Sequence, residues 1–172
     1  AVESFDGVTF SSNTRLVYAD SLMRASEGEL AEAVLDSTEV DESNPDSIIL
    51  RARNARVAGQ HEHALNLAEG AIDRGSCSVY QLGWLHRVAG VAAMESGLGL
   101  RAEGHHRAAL AAFNSLHNQA EAAYSKSDLG VIYHDLGRYR ETQRLWEESL
   151  RTLRAFRRYD YMPMVMNHLA SI

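Results

Sequence analysis

Apolar residues recur every three or four positions along most of this chain, from about residue 13 to its end. This spacing matches one face of an α-helix, whereas strict alternation would indicate a strand. Short breaks, marked by glycine or another small residue, separate the periodic stretches. The pattern predicts helices over residues 13–26, 29–41, 46–58, 61–74, 79–97, 105–118, 120–136, 139–156 and 161–171. We therefore expect an all-α fold in which neighbouring helices, joined by short breaks, run antiparallel.

The predicted helices group into pairs that define the expected domain organisation. Residues 1–12 are too few for a sheet and are interpreted as an N-terminal arm or linker. The predicted helical repeat domain covers residues 13–172. Its units are expected at about 13–45, 46–78, 79–119 and 120–157, with a partial unit at 160–172. The last stretch continues an apolar pattern, so we expect a fifth unit to be cut off there.

A glycine stands at the predicted turn of each pair, and the residue five positions later is small. The four turn glycines are Gly28, Gly59, Gly104 and Gly137, and the residues that follow them are Ala33, Ala64, Ala109 and Thr142. Small residues at this point let two helices approach closely. The wide gap between Gly59 and Gly104 is interpreted as about eleven extra residues in a lengthened first helix that begins near Val79.

The last complete unit carries the most specific pattern. It contains Leu129, Gly130, Tyr133, Gly137, Tyr139, Trp146 and Leu150 at spacings that resemble the tetratricopeptide repeat signature. Thr142 and Ser149 stand where that signature has alanine. The resemblance implies a right-handed α-solenoid of about four helical hairpins plus a truncated terminal helix. In such arrays the first helix of each pair lines a concave wall that binds an extended peptide or a partner helix.

A second resemblance rests on the style of the repeat and on the choice of cation. The repeats are longer and looser than usual, and sixteen arginines stand against a single lysine, Lys126. In these features the chain is similar to the tetratricopeptide arrays of bacterial transcriptional regulators, namely the activators with a bacterial transcriptional activation domain and those of the maltose-regulator type. This resemblance implies a non-enzymatic protein-interaction or sensor module. The alternative is a free-standing scaffold or chaperone adaptor, although the dicarboxylate clamp of that class requires more lysine.

Charge is unevenly distributed along the sequence. The formal net charge of −6 divides into −9 for residues 1–46 and +3 for residues 47–172. This balance argues against binding of duplex nucleic acid by this segment. Arginines between positions 138 and 158 are interleaved with glutamates at helical spacing. We interpret them as a solvated, salt-bridged face rather than a phosphate-binding patch.

Cysteine content and hydropathy bear on the compartment. The single cysteine, Cys77, cannot form a disulfide within the chain. No apolar run reaches the length of a membrane span, and the first thirty residues lack the pattern of a signal peptide. We therefore expect a cytoplasmic protein with no membrane partner.

Candidate chemistry is sparse. The eight histidines include the close pairs His61/His63 and His105/His106, but neither pair has the i, i+3 or i, i+4 spacing that directs two ligands to one metal ion. His61 and His106 are interpreted as repeat residues at helix starts, equivalent to Tyr139. Nucleophile, Walker and dinucleotide-binding motifs are absent from the sequence. The sequence therefore predicts no enzymatic activity, no metal site and no cofactor.

The best candidate for a binding site is a row of cations near the ends of predicted first helices. Arg56, Arg101 and His134 each stand three residues before a predicted turn glycine, and Arg53 lies one helical turn before Arg56. On stacked helices these side chains predict a basic ladder for an acidic or C-terminal peptide. The alternative is that they complement the C-terminal ends of their own helix dipoles.

The terminal apolar residues predict a second kind of contact. The methionines and aliphatic residues of the predicted helix 161–171 have no second helix to cover them. Exposed apolar surface of this kind favours self-association. We therefore expect a homo-oligomer through residues 161–172 in addition to a protein or peptide partner.

Overall fold

The computed structural model describes residues 16–17, 19, 21–22, 27–36, 43–159 and 161–171. These residues form helices and turns without a strand, which confirms the predicted all-α fold. The helices are α1 (Gly28–Leu35), α2 (Pro45–Val57), α3 (His61–Arg74), α4 (Val79–Glu95), α5 (Gly99–Ser115), α6 (Gln119–Asp135), α7 (Tyr139–Ala155) and α8 (Met162–Leu169). No helix in this part of the chain is long and apolar enough to cross a bilayer.

Two sequence predictions fall on parts of the chain outside the described residues. The predicted arm, residues 1–12, lies there entirely. The predicted helix 13–26 lies there in part, and those of its residues between 16 and 22 that are described are helical. The predicted helix 29–41 corresponds to α1, and its residues 37–41 are again outside the described part.

The helices recur at a constant interval from α4 to α7. Each has 17 residues, and a new helix begins every 20 residues, so a pair of helices spans 40 residues. The turns after α2, α4 and α6 share one geometry, with Gly59, Gly97 and Gly137 at φ of +78°, +75° and +72°. A side chain is strained at such φ values, and this explains a glycine in each of these turns.

The structure corrects the predicted turn of the third pair. Gly104 is an exposed residue within α5, and the turn is made at Gly97 instead. The predicted helix 105–118 therefore begins six residues earlier, at Gly99. The preceding helix α4 begins at Val79 as predicted and has 17 residues, against 13 in α2. Alanines are frequent along α5, and their high helix propensity offsets the cost of its internal glycine.

Side-chain caps fix the starts of the first helices. Asn44 accepts a hydrogen bond from the backbone N–H of Asp46 (2.9 Å), directly before Pro45 opens α2. Ser78 and Gln81 form a reciprocal capping box at the start of α4. These caps satisfy amide groups that the helices leave unpaired at their N-termini.

Packing is sequential, with a second set of contacts between alternate helices. Each helix from α1 to α8 packs on the next, and α2 also contacts α4, as α4 contacts α6. Ion pairs link α3 to α5 through Glu69 and Arg101, and α5 to the start of α7 through Glu103 and Arg138. The helices therefore form two rows, which we call the first-helix row (α2, α4 and α6) and the second-helix row (α3, α5 and α7).

Two close approaches repeat at the 40-residue interval. The ring of His106 packs on Gly90, and the ring of Trp146 packs on Gly130, so that a Cβ at either glycine would collide with the ring. Both rings are fully buried. His106 is thus the counterpart of Trp146 in the middle of α5, and the prediction that it stands at a helix start, like Tyr139, is wrong.

Candidate functional site

The structure separates the four cations of the predicted ladder. Arg53 and Arg56 lie on α2, and His134 lies in the last turn of α6, so these three belong to the first-helix row. Arg101 lies in the first turn of α5, which is a second helix. Its predicted equivalence to the others is wrong because the preceding turn is at Gly97.

Most of these cations are already engaged within the chain. Arg56 donates to Glu95 Oε1 (2.9 Å), and His61 Nδ1 lies 3.0 Å from the other oxygen of that carboxylate. Arg101 donates through Nε to Glu69 (2.8 Å). The His134 ring stacks on Trp146 with ring centroids 5.8 Å apart. A peptide carboxylate would therefore have to compete with existing partners at these positions.

A row of alternating cations and aromatic rings crosses the first helices. The Arg53 guanidinium is 5.9 Å from the centroid of the Trp84 ring. The Arg87 guanidinium is 5.4 Å from the centroid of the same ring. Arg87 is also 4.7 Å from the ring of Tyr124, which Arg158 approaches to 4.9 Å. Each such contact contributes about 0.5–2 kcal/mol, depending on how far it is desolvated.

One end of this row is accessible. Tyr80 is 47% exposed and packs edge-on against the half-buried Trp84, with ring centroids 6.5 Å apart. Arg53 is half-buried beside them on α2. Aromatic rings next to a guanidinium are typical of the residues that contribute most to protein interfaces. Arg53, Tyr80 and Trp84 are called the aromatic patch below.

The other end of the row is a buried ionic centre. Arg87 Nε donates to Asp128 (3.3 Å) and its Nη1 lies 3.8 Å from Glu121, which Arg158 approaches to 3.5 Å. The Tyr161 hydroxyl donates to the second oxygen of Asp128 (2.9 Å). Two guanidinium groups thus balance two carboxylates. Burial, together with the Asp128 carboxylate, raises the pKa of the Tyr161 phenol, which keeps it a hydrogen-bond donor at ordinary pH.

Sequence reasoning missed Trp84 and Tyr124, although a signal for them exists. The two residues are 40 apart and occupy the same position of α4 and α6. The incorrect turn at Gly104 hid this interval. Glu121 and Asp128 are seven residues apart on one face of α6, and this spacing is a second signal, since it places both carboxylates on the same side of the helix.

The histidines form pairs other than those adjacent in sequence. The Nδ1 atoms of His86 and His105 are 3.0 Å apart, and His105 Nε2 lies 2.9 Å from Glu69. His106 Nδ1 lies 3.8 Å from Asp128, and neither of its ring nitrogens has a hydrogen-bond partner. Among the residues that the structure describes, no group of three His, Cys, Asp or Glu side chains is placed to hold a metal ion.

These environments predict an acid-sensitive fold. Burial lowers the pKa of His86, His106 and His168 below the ordinary value of 6.5. The unfolded chain therefore takes up protons below pH 6.5 that the folded chain excludes, so the free energy of unfolding should fall as pH falls from 6.5. The slope is at most about 1.4 kcal/mol per pH unit for each excluded proton.

Urea unfolding at several pH values measures this slope. His106→Leu should make it shallower, because the most buried of these imidazoles is then absent. His63→Gln, at an exposed position of α3, is the matched control and should leave the slope unchanged. A slope that is identical in all three proteins contradicts the assignment.

No protein-family model matches this sequence, and no curated protein matches it. The tetratricopeptide resemblance therefore stays a prediction.

Proposed function

We propose that this protein is a non-enzymatic interaction module that binds a partner segment along its first-helix row. We further propose that its helices form a right-handed solenoid of about four tetratricopeptide-like hairpins plus the terminal helix α8. The observation that supports it is the direct contact of α2 with α4 and of α4 with α6. Such contacts line up the first helices as one wall, and walls of this kind bind extended peptides or helices.

The aromatic patch suggests the chemistry of the partner. Arg53 and the half-buried Trp84 together favour a segment that carries a carboxylate next to an apolar or aromatic side chain. Arg56 lies one helical turn after Arg53 and is held by Glu95, whereas His134 contacts Tyr139 and Trp146. The proposed ligand is an acidic or C-terminal peptide, the same ligand that the basic ladder predicted. The aromatic patch takes the place of Arg101 at the centre of the proposed binding site.

The proposed setting is a cytoplasmic bacterial transcriptional regulator, which the looser repeat and the arginine content favour. The alternative is a free-standing scaffold or chaperone adaptor. A DNA-binding segment beside this one in the same gene product would support the regulator. In both settings the present segment binds protein and makes no direct contact with nucleic acid.

A peptide-binding screen tests the proposal. Peptides selected from an acidic and C-terminal library should bind the protein, and Arg53→Ala combined with Tyr80→Ala should weaken that binding at least about tenfold. Both side chains are partly exposed, so the double variant should fold normally. Binding should also weaken as salt shortens the Debye length from about 10 Å at 0.1 M to 3 Å at 1 M.

The matched control is Tyr139→Ala, which removes a similarly exposed tyrosine from the start of α7. It should bind like the unmodified protein. If the double variant and the control bind the selected peptides with equal affinity, the aromatic patch is not the binding surface and the proposal is wrong.

A further inference from the structure

The second-helix row presents three equivalent exposed positions in each helix. They are the second, sixth and thirteenth residues of each helix. On α3 these are Glu62, Asn66 and Asp73. On α5 they are Leu100, Gly104 and Ala111, and on α7 they are Arg140, Arg144 and Arg151. All nine are exposed. The outer surface of this row therefore changes from acidic on α3, through small and apolar on α5, to basic on α7. We call this surface the outer face.

Two arginines of α7, Arg140 and Arg151, lack the ion pairs that the sequence predicted. Arg138 forms an ion pair with Glu141. Glu148 forms ion pairs with both Lys126 and Arg144. Within the described part of the chain, Arg140 and Arg151 have neither an ion pair nor a side-chain hydrogen bond. The interpretation as a salt-bridged face is thus correct for some arginines of this run and wrong for these two.

Exposed charges without a partner are segregated by sign along the described residues. The acidic ones are Glu27, Glu29, Asp46, Glu62 and Asp73, and the arginines are Arg74, Arg140, Arg151, Arg154 and Arg157. These acids precede α4, and these arginines except Arg74 lie on α7 or directly after it; Glu147, whose carboxylate accepts from the neutral Gln143 (2.8 Å), is an exposed acid on α7 without an ion pair. The molecule therefore carries complementary charges on its two ends.

The middle helix of the outer face permits close approach. Leu100 is 84% exposed, the most of any large apolar side chain among the described residues. A Cβ added at Gly104 would meet no neighbouring atom, and Ala111 is small. Arg107, which lies between them, is held by Glu103 (2.7 Å). Small and apolar residues of α5 thus separate the acidic helix from the basic one, with the ion-paired and 59% exposed Arg107 side chain among them.

We propose that the outer face binds a second copy of this chain, with a two-fold axis parallel to α5. Rotation about that axis places α5 against the α5 of the partner and α3 against its α7. Glu62 then meets Arg140 of the other copy, and Asp73 meets Arg151. The same two pairs form again on the other side of the axis, as an isologous contact requires.

The spacing of the charges supports this register. Glu62 and Asp73 are eleven residues apart on α3, and Arg140 and Arg151 are eleven apart on α7. At 1.5 Å per residue both intervals are about 16 Å, so the two pairs can form together. A polyanion would be attracted by α7 but repelled by α3, whereas a second copy complements both helices. Charge complementarity therefore favours the second copy.

The contact should be weak and sensitive to salt. It is only three helices wide and relies on exposed charges, each pair of which contributes about 0.2–1 kcal/mol. Sedimentation velocity at about 10 mM salt, where the Debye length is about 30 Å, should show a concentration-dependent dimer. The same protein in about 1 M salt should sediment as a monomer.

Charge reversal on one helix at a time tests the geometry. Arg140→Glu with Arg151→Glu makes both α3 and α7 acidic, and Glu62→Arg with Asp73→Arg makes both basic, so each variant alone should be monomeric at low salt. An equimolar mixture of the two variants should form a heterodimer, because the acidic α3 and α7 of one variant then face the basic α7 and α3 of the other. Glu27→Arg with Glu29→Arg is the matched control of equal charge change, and it should dimerise like the unmodified protein.

A cross-link locates the axis independently of charge. In a Cys77→Ser background, Leu100→Cys should form a disulfide-linked dimer on oxidation, because the two copies of this residue meet across the axis. Val57→Cys, which replaces a similarly exposed residue of α2, should form no disulfide-linked dimer. The proposal is overturned if the protein is monomeric at every salt concentration or if the two reversed variants fail to associate. It is also overturned if both still dimerise alone, which would favour contact through residues 161–172.

Discussion

Replacing Trp146 with alanine is expected to lower the free energy of unfolding by about 3–5 kcal/mol. The indole is 1% exposed and packs on Gly130, and the rings of His134 and His168 stack on it with centroids 5.8 and 5.0 Å away. Its Nε1 donates to the backbone carbonyl of Ser127 (2.9 Å). The variant would therefore open a large cavity and also leave a buried carbonyl without its partner.

Urea unfolding of the variant and of Arg154→Ala measures this effect. Arg154 is exposed on the same helix and has no partner among the described residues, so its replacement should change the free energy of unfolding by less than about 0.5 kcal/mol. Small and equal changes in the two variants would contradict the assignment of Trp146 as the central core residue of α6, α7 and α8.

The fold was largely predictable because apolar periodicity reports burial directly. The helices α2, α3, α6 and α7 begin and end within one residue of the predicted bounds. The failure at Gly104 has a physical cause: glycine favours turns, but an alanine-rich helix accommodates one at an exposed position. The reliable sign of a turn is a positive φ, and sequence alone does not distinguish Gly97 from Gly104 in this respect.

The candidate site was predictable only in part. Arg53 and Arg56 lie on the first-helix row, as the spacing indicated. Their partners could not be foreseen, because Glu95 reaches Arg56 from a helix 39 residues later. The same holds for Trp84, whose contact with Arg53 depends on how α2 and α4 pack. Long-range contacts of this kind are set by helix packing and leave no local pattern.

The ionic centre connects stability with the shape of the first-helix row. Arg87 of α4, Asp128 of α6 and Tyr161 before α8 come from three elements that are distant in sequence. Their contacts fix α4 and α6 side by side, next to the aromatic patch on Trp84. Disruption of this centre should therefore both destabilise the fold and weaken binding at the patch.

Replacing Asp128 with alanine is expected to lower the free energy of unfolding by about 3 kcal/mol, because it leaves the buried Arg87 guanidinium without its nearest carboxylate. It also removes the acceptor of the Tyr161 hydroxyl. Asp135→Ala, on the same helix but exposed, should change stability by less than about 0.5 kcal/mol.

Chemical denaturation of the unmodified protein, Asp128→Ala, Arg87→Met and the combined variant Asp128→Ala with Arg87→Met forms a double-mutant cycle. Asp135→Ala is measured beside them as the control. The combined variant should be more stable than the sum of the single losses predicts, since removal of both charges leaves neither one buried alone. Strictly additive losses would show that Arg87 and Asp128 do not interact, and the ionic centre would then have no part in holding α4 against α6.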